Sequence, residues 1–162
     1  MPDRPVIANN TPLASLWAIR RLPLLQALFG HVVIPQEVAD EFLATDTIPR
    51  QRELTETPWL EVRSIANPRR ILAYGNLDLG EAAVLALAEE TDARLLIIDE
   101  DKGRRFARRL DFSVIGTLGL FLLGKEQGHL EAVGPEIQKL RNAGFYLGKS
   151  LVSKVLTLAG EI

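Results

Sequence analysis

Three carboxylates stand where an α/β chain could put them to chemical use. Asp99 closes the most apolar run of the 162-residue chain, Arg94-Leu95-Leu96-Ile97-Ile98, and heads the triplet Asp99-Glu100-Asp101. Glu81 falls in the first turn of a helix beginning at Gly80, where the helix dipole favours a negative charge. Glu41 lies in a helix opened by Pro35, one turn beyond Glu37 on the same face. Carboxylates that meet repel one another and take up protons unless a cation compensates. A hard divalent ion, Mg²⁺ or Mn²⁺, is the natural compensator because it prefers oxygen ligands. Taken singly, each acid reads first as a solvated side chain: Glu81 as helix-dipole decoration, Asp99 and Asp101 as a turn and cap, and Glu37, Asp40 and Glu41 as a polar helix face. Only their joint placement carries the metal reading.

The segment after Asp101 is basic. Lys102, Arg104, Arg105, Arg108 and Arg109 put five positive charges in eight residues, with Phe106, Ala107 and Leu110 marking the buried side. A positive face beside an acidic pocket attracts a phosphate backbone to the first while metal chemistry proceeds in the second. By itself, such a run also reads as a solvated face with local ion pairs. Arg20-Arg21 and Arg69-Arg70 add basic pairs whose facing the sequence leaves open.

Composition narrows the alternatives. With no Cys, disulfides, thiolate metal sites and a cysteine nucleophile are excluded. His31 and His129 stand alone, which disfavours an imidazole metal site or a Ser–His–Asp triad. Lys and Arg total 19 against 21 acids, a net charge of −2, and 47% hydrophobic residues suffice for a sizeable core. The start, Met1 to Pro5, has no apolar stretch of the signal-peptide kind. The longest apolar run, Leu118 to Leu123, is far short of the ~20 residues of a membrane helix. The expectation is a single cytoplasmic domain over residues 1–162 with no membrane association.

Alternating elements must position these acids. Short strands are predicted at 5–8, 31–34, 59–65 (alternating, hence edge or half-covered), 94–98 (central, covered on both faces) and 112–115. Helices are predicted from Pro12 to near Pro23, at 24–29 ending on Gly30, at 36–43 with Pro35 in the first turn, from Gly80, and at 102–110, 117–125, 130–142 and 149–158. Residues 45–58 are polar and weakly patterned, and 67–79 reads as a loop with room for a helical turn. Strands separated by helices imply right-handed βαβ units around a parallel sheet, whose sites lie beyond the strands' carboxyl ends. That rule selects Asn9-Asn10-Thr11 and Asp99-Glu100-Asp101. Two phosphate-loop look-alikes are set aside. Ala143 to Ser150 approaches Gly-x-x-x-x-Gly-Lys-Ser but follows a helix, so Gly148 reads as the start of the last helix. Gly116-Thr117-Leu118-Gly119 reads as a strand-to-helix turn with Thr117 as cap.

Four ordered segments carry a resemblance. Val6-Ile7-Ala8-Asn9-Asn10-Thr11-Pro12-Leu13, Ile34-Pro35-x-x-Val38-x-x-Glu41, Leu77-Asp78-Leu79-Gly80-Glu81-Ala82 and Leu96-Ile97-Ile98-Asp99-Glu100-Asp101 resemble the PIN-domain family, in a prokaryotic branch that also ends in Asn142-Ala143-Gly144-Phe145 and Gly160-Glu161. The resemblance implies a three-layer α/β/α sandwich with a mainly parallel sheet, and Mg²⁺- or Mn²⁺-dependent ribonuclease activity. It also implies a toxin paired with a cognate antitoxin, often as a homodimer. Carried over by motif, Glu41, Glu81 and Asp99 take the second to fourth acidic positions, Asp101 is an auxiliary acid, and Thr11 matches a hydroxyl two residues after the first. The first position, usually Asp, falls on Asn9. Its amide oxygen ligates without charge, and one charge about 4 Å from a divalent ion is worth several kcal/mol at an effective dielectric of about 20.

The expectation is therefore an endoribonuclease in which Asn9, Glu41, Glu81, Asp99 and Asp101 hold one or two ions. Water activated there would attack the scissile phosphodiester in line. Thr11, Arg104, Arg105 and Arg108 would position phosphate groups of the RNA. Two alternatives remain: a PIN-like module that binds RNA or protein without cutting, and a signalling or phosphoryl-transfer α/β domain. The second usually wants carboxylates after the first strand, where Asn9-Asn10 stand.

Overall fold

The computed structural model describes residues 3–162, so Met1 and Pro2 of the start lie outside it. Among the described residues, β1 (Val6–Ala8), β2 (Val32–Pro35), β3 (Leu60–Arg63), β4 (Leu95–Ile97) and β5 (Val114–Ile115) form one sheet in the order β3-β2-β1-β4-β5. Every pairing is parallel. The helices are α1 (Asn10–Ala18), α2 (Pro23–Phe29), α3 (Gln36–Phe42), α4 (Thr47–Thr55), α5 (Leu79–Thr91), α6 (Asp101–Arg109), α7 (Thr117–Glu126), α8 (Gly134–Asn142) and α9 (Lys149–Leu158), with a 3₁₀ turn at Pro68–Tyr74. The chain steps outward from β1 to β3, then crosses back to β4 and β5. Right-handed crossovers therefore put α1 to α3 on one face of the sheet and α5 and α6 on the other.

Burial explains the strand sequences. β1 and β2 are covered throughout, so they read as unbroken Val/Ile-rich runs. β3 is an edge, and its Leu60 is buried while Val62 is exposed. β1 has β2 on one side and β4 on the other, so its carboxyl end is the point where strand order reverses. Ala8 pairs with Ile97, and the Asn9 N–H donates to the Ile97 carbonyl at 3.0 Å. Asn9 and the segment Ile98-Asp99 thus leave the sheet side by side at the place where such sheets bind ligands.

Several expectations are corrected. Residues 47–55 form α4, which no apolar stripe announces. It is tied down instead by Arg50, whose guanidinium lies 4.8 Å from the Trp17 ring and 4.7 Å from the Phe42 ring. Arg50 also donates to the Phe42 carbonyl at 2.8 Å. Pro35 is the last residue of β2 and caps α3 in extended conformation rather than lying in its first turn. α8 starts at Gly134, four residues later than the pattern suggests. β4 is interior but not central; β1 is. The segment 143–148 joins α8 to α9 with Gly148 capping α9, so no strand feeds the phosphate-loop look-alike.

The carboxyl tail is pinned by charge. Gly160 turns the chain at φ +73°, a conformation that favours glycine. Glu161 then accepts hydrogen bonds from the Val133 and Gly134 N–H groups at 2.7 and 2.8 Å and from Lys125 Nζ at 2.9 Å. These donors hold its carboxyl at about 2, well below the usual range. Glu161→Ala strips three donors of their partner and is expected to cost about 2–3 kcal/mol, read by urea denaturation at pH 7. Because the native pKa is depressed, that contribution is present above the ordinary carboxylate range. It should fade as pH falls towards about 2.

Candidate metal centre

The amino end of α5 is built to admit other chains. Asp78 caps it, its Oδ1 accepting from the Glu81 N–H at 2.8 Å. Gly80 follows, and a Cβ placed there would lie 2.6 Å from Glu41 Oε2, 3.3 Å from Asn9 Oδ1 and 3.7 Å from Asp78 Oδ1. Oxygens from β1's end, α3 and the α5 cap therefore crowd one point that only glycine leaves open. Asn10 Nδ2 donates to Glu41 Oε1 at 3.4 Å, which steadies the second oxygen of that carboxylate. Asn9 is 4% exposed, and its Oδ1 has no hydrogen-bond donor.

Glu81 points from the same turn towards α6. Its Oε2 lies 3.4 Å from where a Cβ on Gly103 would stand, and the residue is 6% exposed. Burial, then a hydrogen bond shared with Asp78 and the charges of Asp78 and Glu100, push its carboxyl up to about 7, with Lys102 opposing. Lys102 is anchored on the Asn76 carbonyl. Glu41 is also raised, by desolvation first and the Asp78 charge second.

Asp99 has other partners. Its Oδ1 accepts from the Thr117 N–H and its Oδ2 from the Thr117 hydroxyl, both at 2.7 Å. Thr117 was expected to cap α7. Instead Gly116 holds the cap position and Asp99 supplies the capping oxygen from β4's end. Gly116 lets this happen, since its Cβ would meet Arg104 Nη1 at 2.8 Å and Asp99 Oδ1 at 2.9 Å. Arg104 in turn donates to the Ile98 carbonyl at 3.0 Å. Asp99, Asp101, Arg104 and Thr11 line one groove of about 530 Å³ whose far wall includes Tyr146 and Lys154.

The acids named from the sequence thus gather in two adjoining groups. Asn9, Glu41 and Glu81 surround the start of α5, while Asp99 and Asp101 face the groove. Glu100 joins the two, raising Glu81 while lining the groove. Arg105 and Arg108 are exposed on α6, outside that groove. Of the extra basic pairs, Arg21 is held by buried Glu136 at 2.7 Å, which makes it structural, while Arg70 lies 3.6 Å from Glu90 at the surface. Asp78 and Gly80 are the site residues that spacing alone did not single out, and Lys102, named from the sequence in the basic run, is turned back towards Glu81.

Among the described residues, no three acidic or imidazole side chains are placed to hold an ion by themselves. What fits a hard divalent cation is the donor chemistry around Gly80. The donors there are all oxygens, one of them a buried amide oxygen left without a partner, beside carboxyls whose pKa is raised first by burial and then by Asp78. Glu81 tests this electrostatic reading. Its native pKa is raised, so its cost to stability is absent near pH 4.5, grows with pH, and is complete above about 7. Glu81→Gln is expected to melt several degrees above the unsubstituted protein at pH 8 without added metal, the two curves converging near pH 4.5.

No protein of curated function matches this chain. A family model described as a PIN domain matches residues 5–161. That match takes in every strand and helix that delivers the acids to the sheet's carboxyl end, and the chain accordingly belongs to the PIN-domain family, whose members are generally nucleases.

Proposed function

We propose that the chain is a divalent-metal-dependent endoribonuclease that hydrolyses RNA phosphodiester bonds, acting as the toxin of a toxin–antitoxin pair. The observation that carries the metal reading is the unpartnered Asn9 Oδ1 beside Glu41 at the Gly80 junction. When bound, Mg²⁺ or Mn²⁺ supplies positive charge at the scissile phosphate and lowers the pKa of water. Asn9 and Glu41 would hold it, with Glu81 beside them and with Asp99 and Asp101 giving the adjoining groove its negative floor. Glu81, buried beside the junction, is placed to take a proton from the attacking water. Arg104 spends one N–H on the Ile98 carbonyl and keeps further donors for a phosphate oxygen. Thr11 offers a hydroxyl to water or phosphate in the same groove. Arg105 and Arg108 hold flanking phosphates by charge.

The reading extends to partners: an antitoxin whose Arg or Lys meets Asp99 and Asp101, and a second copy of the chain in a homodimer. A second reading, a PIN-like module that binds RNA without cutting, is favoured by the neutral Asn9 and by the engagement of both Asp99 oxygens with Thr117. A labelled RNA incubated with Mg²⁺ or Mn²⁺ separates the two. Cleavage is expected, stopped by a chelator and lowered about 10²-fold or more by Glu41→Gln, Glu81→Gln or Asp99→Asn. RNA retained on the protein but left whole establishes the binding module instead.

A further inference from the structure

The acid set named from the sequence omits the carboxylate that stands with the orphaned amide. Asp78 Oδ1 is within 3.7 Å of the point that Glu41 Oε2 and Asn9 Oδ1 also crowd. That places its carboxylate beside both Glu41 and Asn9 at the head of α5. Asp78 is exposed, which leaves the junction open to an entering ion, and its one backbone partner is the Glu81 N–H that it caps. Asp99, in contrast, has both oxygens committed to Thr117. Asn9 Oδ1 is the independent sign of a ligand, being buried, aimed at the junction and bonded to nothing.

We infer that Asp78 makes good the charge missing at Asn9, so that the divalent ion is held by Asn9 Oδ1, Glu41 and Asp78 around Gly80. Three oxygen ligands with two negative charges suit Mg²⁺ or Mn²⁺, which complete their shells with water and substrate phosphate. Asp78 then does double duty as helix cap and ligand, and Asp99 serves by fixing α7. The inference rests on the metal dependence proposed above and names a ligand for it.

The experiment is a calorimetric titration with Mn²⁺ alone at pH 8 on four full-length chains: unsubstituted, Asp78→Asn, Asn9→Asp and the double variant. Asn also caps helices, so Asp78→Asn removes charge while keeping the cap, and Asp78→Ser gives a second capping variant. Thermal melts followed by circular dichroism verify folding. Asp78→Asn is expected to weaken Mn²⁺ binding about tenfold or more, and Asn9→Asp to restore it in the double variant. Unchanged affinity in Asp78→Asn overturns the inference and leaves the metal dependence standing. Absence of binding by the unsubstituted chain overturns both, and binding that appears only on Asn9→Asp shows that Asp78 does not compensate.

Discussion

The approach of the Glu41 carboxylate to the backbone of Gly80 sets the arrangement of the whole carboxyl end of the sheet. A Cβ at Gly80 would lie 2.6 Å from Glu41 Oε2, so any other residue there pushes that exposed carboxylate off the junction. α5 cannot retreat to make room, because Gly80 through Ala88 are buried without interruption. α3 cannot retreat either, since Phe42 is wholly buried next to Glu41 and meets Trp17 edge-on at 6.2 Å. Glycine is therefore the residue that lets the Glu41 carboxylate rest against the start of α5, next to Asn9 Oδ1. The result is a junction where oxygens outnumber donors.

Three local devices keep that crowding compatible with a folded chain. For Glu81 it is a carboxyl pKa lifted to about 7, mainly by burial, which eases the loss of its charge. The amino end of α7 does it for Asp99, through the Thr117 N–H and hydroxyl. Lys102 and Arg104 add positive charge, each fixed by a backbone carbonyl, of Asn76 and Ile98 respectively. None of these serves Asn9 Oδ1, which keeps its lone pairs free. A buried acceptor left bare costs stability, about 1–3 kcal/mol in general. Such a cost is the kind that functional sites bear and that a bound cation relieves.

Much of the framework was legible because its signals are local. Val6 to Ala8, Val32 to Ile34 and Leu95 to Ile98 are short apolar runs stopped by Asn9, Pro35 and Asp99, and a doubly covered parallel sheet needs little more to be read. Gly30 and Pro23 punctuate α2 as expected. α4 was not legible because its anchor is Arg50 between two rings distant in sequence, a contact that leaves no periodic trace. The acids were legible as a set but not in their division. Nothing in Asp99-Glu100-Asp101 shows that Asp99 turns to Thr117, eighteen residues on, because that depends on β5 lying beside β4. Asp78 drew no role from the sequence beyond its place in the Leu77 to Ala82 segment; its nearness to Asn9 and Glu41 exists only once β1, α3 and α5 are assembled.

The central claim is that the bare amide oxygen of Asn9 marks the seat of a divalent ion. Anomalous diffraction from crystals soaked in Mn²⁺ tests it without any assay of activity. The account expects one strong peak at the Gly80 junction, in ligand contact with Asn9 Oδ1 and Glu41. A peak confined to the Asp99–Asp101 side of the groove, or soaked crystals in which Asn9 Oδ1 still faces no ion, would contradict it.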